Sequence, residues 1–126
     1  MIAFLDTQIC VWAAQGDVHR LSKPAHKVMQ SAELLISPTV LVELQYLFEI
    51  QRIIVPPRDI AAKLEKEAGA RVHNGDFLEI TKVCLQETWT RDPFDRLIVS
   101  HAKMHGMSYL ISSDEKIKKH YRRTIW

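Results

Sequence analysis

The sequence predicts an α/β fold, a three-layer α/β/α sandwich around a short, mostly parallel sheet. Short apolar runs at Ile2–Leu5, Leu34–Ile36 and Tyr109–Ile111 alternate with longer helical stretches. Strands joined by crossover helices leave that pattern, and the sheet they form is covered on both faces. The chain has 126 residues, a length that fits one domain over residues 1–126 and buries a core without staples.

The elements follow in order. Ile2–Leu5 reads as a buried strand and Thr7 to about Ala14 as a helix. Ser22-Lys23-Pro24 opens a second helix, with Pro where the first turn tolerates it. Leu34–Ile36 is a strand. Ser37-Pro38 supplies an N-cap and first residue for a helix from Pro38 to about Ile50. After Pro56-Pro57, Asp59 is expected to cap a helix that stops at Gly69. Arg71–His73 reads as a weak strand and Leu78–Trp89 as a helix. Asp92-Pro93 opens a helix ending near Gly106. Tyr109–Ile111 is a strand, Ser113–His120 a short helix, and Thr124–Trp126 a last strand. No internal repeat or linker interrupts this order.

Composition is that of a globular domain, with 47% hydrophobic and 25% charged residues. No apolar run is long enough to cross a bilayer, so no membrane role is expected. The start, MIAFLDTQ, has no basic region ahead of an apolar stretch, so no signal peptide is expected. Cys10 and Cys84 form no C-x-x-C pair and are read as small apolar helix residues in a reducing cytoplasm. The net charge of +2 does not announce a nucleic-acid binder. Setting four acids aside as ligands leaves 17 basic against 11 acidic residues, with Lys116, Lys118, Lys119, Arg122 and Arg123 near the C-terminus.

The acids carry the functional signal. Ligands of an open α/β sheet gather beyond the carboxyl ends of its strands. Asp6 directly follows the first strand, and Asp114 follows Tyr109–Ile111 by a short turn. Ser112 and Glu115 have capping-box spacing, so Asp114 is not expected to be needed as a cap. Glu43 shares a helix face with Val40, Leu44 and Leu47, where an unpaired charge is costly. Glu49 lies beside Gln45 and Arg52 and reads as solvated. Asp95 has Ile98, Val99 and Ala102 at helical spacing. Asp92 precedes Pro93 and is assigned mainly to capping, with a second-tier place at the site.

Four such acids converging would repel by about 4 kcal/mol per pair at ~4 Å and an effective dielectric near 20. A cation or raised pKa values must relieve that. Oxygen-only ligands favour a hard ion, Mg²⁺ or Mn²⁺, over zinc. His101 and His105 lie one helical turn apart without the H-E-x-x-H pattern, and read as surface or packing residues.

The order Asp6, Glu43, Asp95, Asp114 resembles that of a PIN domain, most of all the VapC-type toxins of toxin–antitoxin pairs. The matching segments are FLDTQICVWAA, SPTVLVEL, RDPFDRLIVSHA and YLISSDEKI, with a terminal Trp126. They span nearly the whole chain, and RDPFDRLI is the most specific. The resemblance implies a Mg²⁺-dependent endoribonuclease held inactive by a cognate antitoxin. Relatives commonly carry His where Gln8 and Thr90 stand here. Neither position is a metal ligand in the family pattern.

The implied chemistry is hydrolysis of an RNA phosphodiester, leaving a 5′-phosphate on one fragment. Asp6, Glu43, Asp95 and Asp114 would hold the ion. Thr7, Ser112 or Ser113 would orient a carboxylate or water, and Arg91 and Arg96 would hold phosphate. Alternatives with the same fold are a non-catalytic RNA- or protein-binding module and a DNA nuclease. A phosphorylated receiver domain needs an acidic pair where Asp6 is followed by Thr7 and Gln8. For partners, Val40, Leu44, Leu47 and Ile50 are expected on the core face of their helix. Tyr46, Phe48, Ile53, Ile54 and Val55 are then left for an antitoxin groove or a homodimer contact.

Overall fold

A computed structural model describes residues 1–126. Its sheet has five strands, β1 (Ile2–Leu5), β2 (Glu33–Ile36), β3 (Arg71–Val72), β4 (Tyr109–Ile111) and β5 (Thr124–Ile125). Every pairing is parallel and the order is β3-β2-β1-β4-β5. Seven helices connect them: α1 (Thr7–Ala14), α2 (Lys23–Ser31), α3 (Pro38–Glu49), α4 (Pro57–Ala68), α5 (Phe77–Cys84), α6 (Pro93–Met104) and α7 (Glu115–His120). The chain thus forms the expected three-layer α/β/α sandwich.

The central strands are apolar because neither face meets water. Ala3, Phe4, Leu5, Leu110 and Ile111 have no exposed surface, and Leu34, Leu35 and Ile36 almost none. The strand order also locates the site. From β1 the chain moves outward through β2 to β3, then returns to place β4 on the other side of β1. The crevice between β1 and β4 is the topological switch point where ligands of such sheets bind. Leu5 pairs with Ile111 there, so Asp6 and Ser112 leave the sheet side by side.

Several boundaries differ from the sequence reading. Pro56, not Asp59, is the N-cap of α4, and Pro57 takes the first helical position, which needs no N–H donor. Asp59 lies inside the first turn, where its charge meets the helix dipole. α5 ends at Cys84 rather than Trp89. Beyond it Glu87 turns inward, 5% exposed, to accept from Trp89 Nε1 and Lys103 Nζ. That tertiary pairing replaces the last helical turn. α7 begins at Glu115 with Asp114 as its N-cap, so Asp114 is needed as a cap after all. On α3, Val40 and Leu44 are buried, but Ile50 is 44% exposed and does not join the core face.

Candidate active site

Asp6 sits at the carboxyl end of β1 and caps α1. Its Oδ1 accepts from the Thr7 backbone N–H at 2.8 Å, and its Oδ2 from the Ser112 hydroxyl at 2.6 Å. The Asp6 N–H donates to the Ile111 carbonyl at 3.0 Å, which ties this corner to β4. Ser112 Oγ in turn accepts from the Asp114 N–H at 3.1 Å. Asp114 caps α7 by accepting from the Ile117 N–H at 2.9 Å.

Glu43 approaches from α3. It is half-buried, and its Oε1 accepts from the Thr7 hydroxyl. Asp92 and Asp95 enter from the start of α6. Asp92 Oδ1 accepts from the Phe94 and Asp95 N–H groups at 2.8 and 3.2 Å, which makes it the N-cap. Asp95 caps nothing and is half-buried. The five acids Asp6, Glu43, Asp92, Asp95 and Asp114 line one cavity of about 360 Å³, together with Thr7, Gln8, Leu47 and Ser113.

Burial and crowding act on these acids together. Asp95 is pushed up to about 8, first by burial and then by the charges of Asp6, Asp92, Asp114 and Glu43. Burial also raises Asp6, against the pull of its Ser112 and Thr7 hydrogen bonds, with Asp114 and Asp92 adding to the rise. Glu43 is raised by burial, opposed by Thr7, and raised further by Asp6 and Asp92. At neutral pH the cluster therefore relieves its repulsion by holding a proton on Asp95. A bound cation would do the same work, and the all-oxygen donor set fits a hard divalent ion. No three of the acidic side chains share one ligating point in this arrangement. Thr7, Ser112 and the helix caps hold several of them to the cavity wall.

All four sequence-predicted ligands reach this cavity, and so does the second-tier Asp92. Among the predicted orienting residues, Thr7 bonds Glu43, Ser112 bonds Asp6, and Ser113 lines the wall. The two arginines are placed elsewhere. Arg91 donates to the Thr88 carbonyl at 3.2 Å, Arg96 Nε to the Thr90 carbonyl at 2.7 Å, and neither lines the cavity. Gln8 is a further lining residue, beyond those the sequence points to, on the first turn of α1. Its position two residues after Asp6 is the signal that places it there.

The histidines pack, as one of the two sequence expectations has it, and they also form a network. His101 is 2% exposed. Its Nδ1 lies 2.9 Å from Oγ of Ser37, the N-cap of α3, and its Nε2 lies 3.0 Å from His73 Nδ1. The Phe4 ring packs against His73, His101 and His105. His101 thus joins α6, which carries Asp95, to the start of α3, which carries Glu43.

A family model described as "PIN domain" matches residues 3–123. No curated protein matches the chain. Twelve chains of solved structures do. One is from a crystal structure of VapBC2 from Rickettsia felis bound to a DNA fragment from their promoter. It is 20% identical, with a TM-score of 0.59, over 98% of this chain and 96% of that one. At that identity the likeness is one of fold.

Proposed function

This chain belongs to the PIN-domain family, and from that premise we propose that it is a metal-dependent endoribonuclease, the toxin of a VapBC-type toxin–antitoxin pair. PIN domains are generally nucleases that use divalent ions. The observation that carries the reading is the meeting of Asp6, Glu43, Asp95 and Asp114 at the β1–β4 switch point, where burial and then crowding raise Asp95 to about 8.

Asp6, Glu43, Asp95 and Asp114 would hold Mg²⁺ or Mn²⁺, with Asp92 beside them. When bound, the ion would supply Lewis acidity and offset the carboxylate charge where a phosphodiester is attacked by water. The chain's own groups prepare that attack. Thr7 fixes the Glu43 carboxylate, and Ser112 fixes Asp6. Asp95, whose affinity for a proton is raised by burial and then by its neighbours, can hold or give up one near neutral pH. Hydrolysis leaves a 3′-hydroxyl on one fragment and a 5′-phosphate on the other.

The partner surface is α3. Phe48 and Val55 are half-buried against the core and Ile53 is 7% exposed, so these three are not free for a partner. Val42, Tyr46 and Ile50 are spaced one turn apart and are 60%, 52% and 44% exposed. The Tyr46 ring lies 6.2 Å from that of Phe94. This stripe borders Glu43, so an antitoxin helix or a second copy seated on it would cover the approach to the acids. Cytoplasmic action on RNA is part of the same proposal.

The deciding experiment is cleavage of purified cellular RNA with Mg²⁺ or Mn²⁺, followed by sequencing of the new 5′ ends. Cleavage at discrete sites that EDTA and Asp95→Asn both abolish is the expected result. Intact RNA, with DNA cut or neither polymer cut, would overturn the reading.

A further inference from the structure

We propose that Gln8 binds the substrate, its side-chain amide donating a hydrogen bond to a non-bridging oxygen of the phosphate at the bond cut. The inference deepens the ribonuclease reading and rests on it.

A phosphodiester oxygen only accepts hydrogen bonds, and so does an ionised carboxylate. Five of the nine residues that line the cavity are acids, and no Lys or Arg is among the nine. Leu47 offers nothing polar, and the Thr7 hydroxyl is committed to Glu43. The arginines expected to hold phosphate donate to the Thr88 and Thr90 carbonyls instead. Two neutral side-chain donors remain, the Ser113 hydroxyl and the Gln8 amide. A hydroxyl has a single proton, which a neighbouring carboxylate competes for. The amide carries two N–H groups, so one stays available when the other meets an acid. Gln8 is exposed and takes no part in the bonds that join Thr7 to Glu43 or Ser112 to Asp6. It lies on the first turn of the helix that Asp6 caps and lines the same cavity as the five acids.

The test is steady-state cleavage of a 5′-labelled pool of random single-stranded RNA with Mg²⁺, using wild type, Gln8→Ala, Gln8→Glu and Gln8→His. A hydrogen bond to a charged group predicts a KM raised about tenfold or more in Gln8→Ala, with kcat nearly unchanged. Gln8→Glu should bind more weakly still, because it replaces the donor with a further negative charge. Gln8→His keeps a ring N–H and should recover most of the affinity. RNA retention on filters, measured in an Asp95→Asn background where nothing is cut, should show the same order. If wild type cuts RNA and Gln8→Ala has the wild-type KM, or loses only kcat, this inference falls and the ribonuclease reading stands. If wild type cuts no RNA, both fall.

Discussion

Thr7, the first residue of α1, donates its hydroxyl proton to Glu43 on α3, thirty-six positions away in sequence. The bond turns a carboxylate that would otherwise swing on a long side chain into a fixed acceptor at the cavity wall. Thr7→Val keeps the shape and removes the donor. It should raise the Mg²⁺ concentration for half-maximal cleavage by about tenfold, the usual cost of losing a partner that orients a ligand. Thr7→Ser should restore it. Unchanged metal dependence in Thr7→Val would show that Glu43 needs no such anchor.

Asp95 and Asp92 share a helix start and separate by role. Asp95→Asn should abolish cleavage and leave the circular dichroism spectrum intact. Asp92→Asn should cost much less, because Asn caps helices well. A dead Asp92→Asn beside an active Asp95→Asn would exchange the two assignments.

The titrations predict how stability follows pH in metal-free buffer. Asp95 keeps a proton to about pH 8 when folded but releases it near 3.8 when unfolded. Folding takes up a proton between those limits, so stability falls as pH rises through them. His101 has the opposite slope. Burial beside His73 and His105 lowers it from 6.5 to about 4, so stability falls as pH drops through that range. Between pH 6.5 and 8 only the Asp95 slope of these two remains. Wild type should lose thermal stability across that window, and Asp95→Asn should lose less. At pH 8 the variant is expected to melt about 5 °C or more above wild type. Parallel melting curves would mean that the Asp95 proton is not linked to folding.

Ion binding should displace the same proton. Calorimetric titration with Mg²⁺ at pH 7, repeated in buffers of different ionisation enthalpy, should show proton release in wild type and little in Asp95→Asn. The melting temperature of wild type should rise with Mg²⁺ or Mn²⁺. No shift and no proton release would remove the ion from the site.

The exposed stripe of α3 has its own test. Tyr46→Lys with Ile50→Lys should weaken antitoxin binding or reduce the mass seen by light scattering, because both side chains lie outside the core. A folded double variant with unchanged binding and mass would move the partner surface elsewhere.

The strands and α6 were legible in the sequence because their signals are local: short apolar runs, and Asp92-Pro93 as a cap and first residue. Glu43 and Asp95 were legible because each breaks an apolar face. What stayed hidden depends on how side chains are placed in the folded chain rather than on local pattern. Glu87 ends α5 early by pairing with Lys103, sixteen positions on. Arg91 and Arg96 look like phosphate ligands in sequence but bond the loop just before α6. Asp114 read as free of capping duty because Ser112 had the right spacing, yet the Ser112 hydroxyl donates to Asp6. Ile50 follows the apolar stripe of α3 but sits at its C-cap, past the point where the core reaches.

Asp6, Asp92 and Asp114 each cap a helix as well as line the cavity, whereas Glu43 and Asp95 cap nothing. Selection for folding alone would thus preserve an N-capping residue at three positions even in a copy released from its reaction. At the other two, the same selection would welcome an amide, because neutral side chains there relieve repulsion. Under drift, Glu43 and Asp95 should be the first acids to disappear, so these two positions report whether a descendant of this chain still uses its cavity.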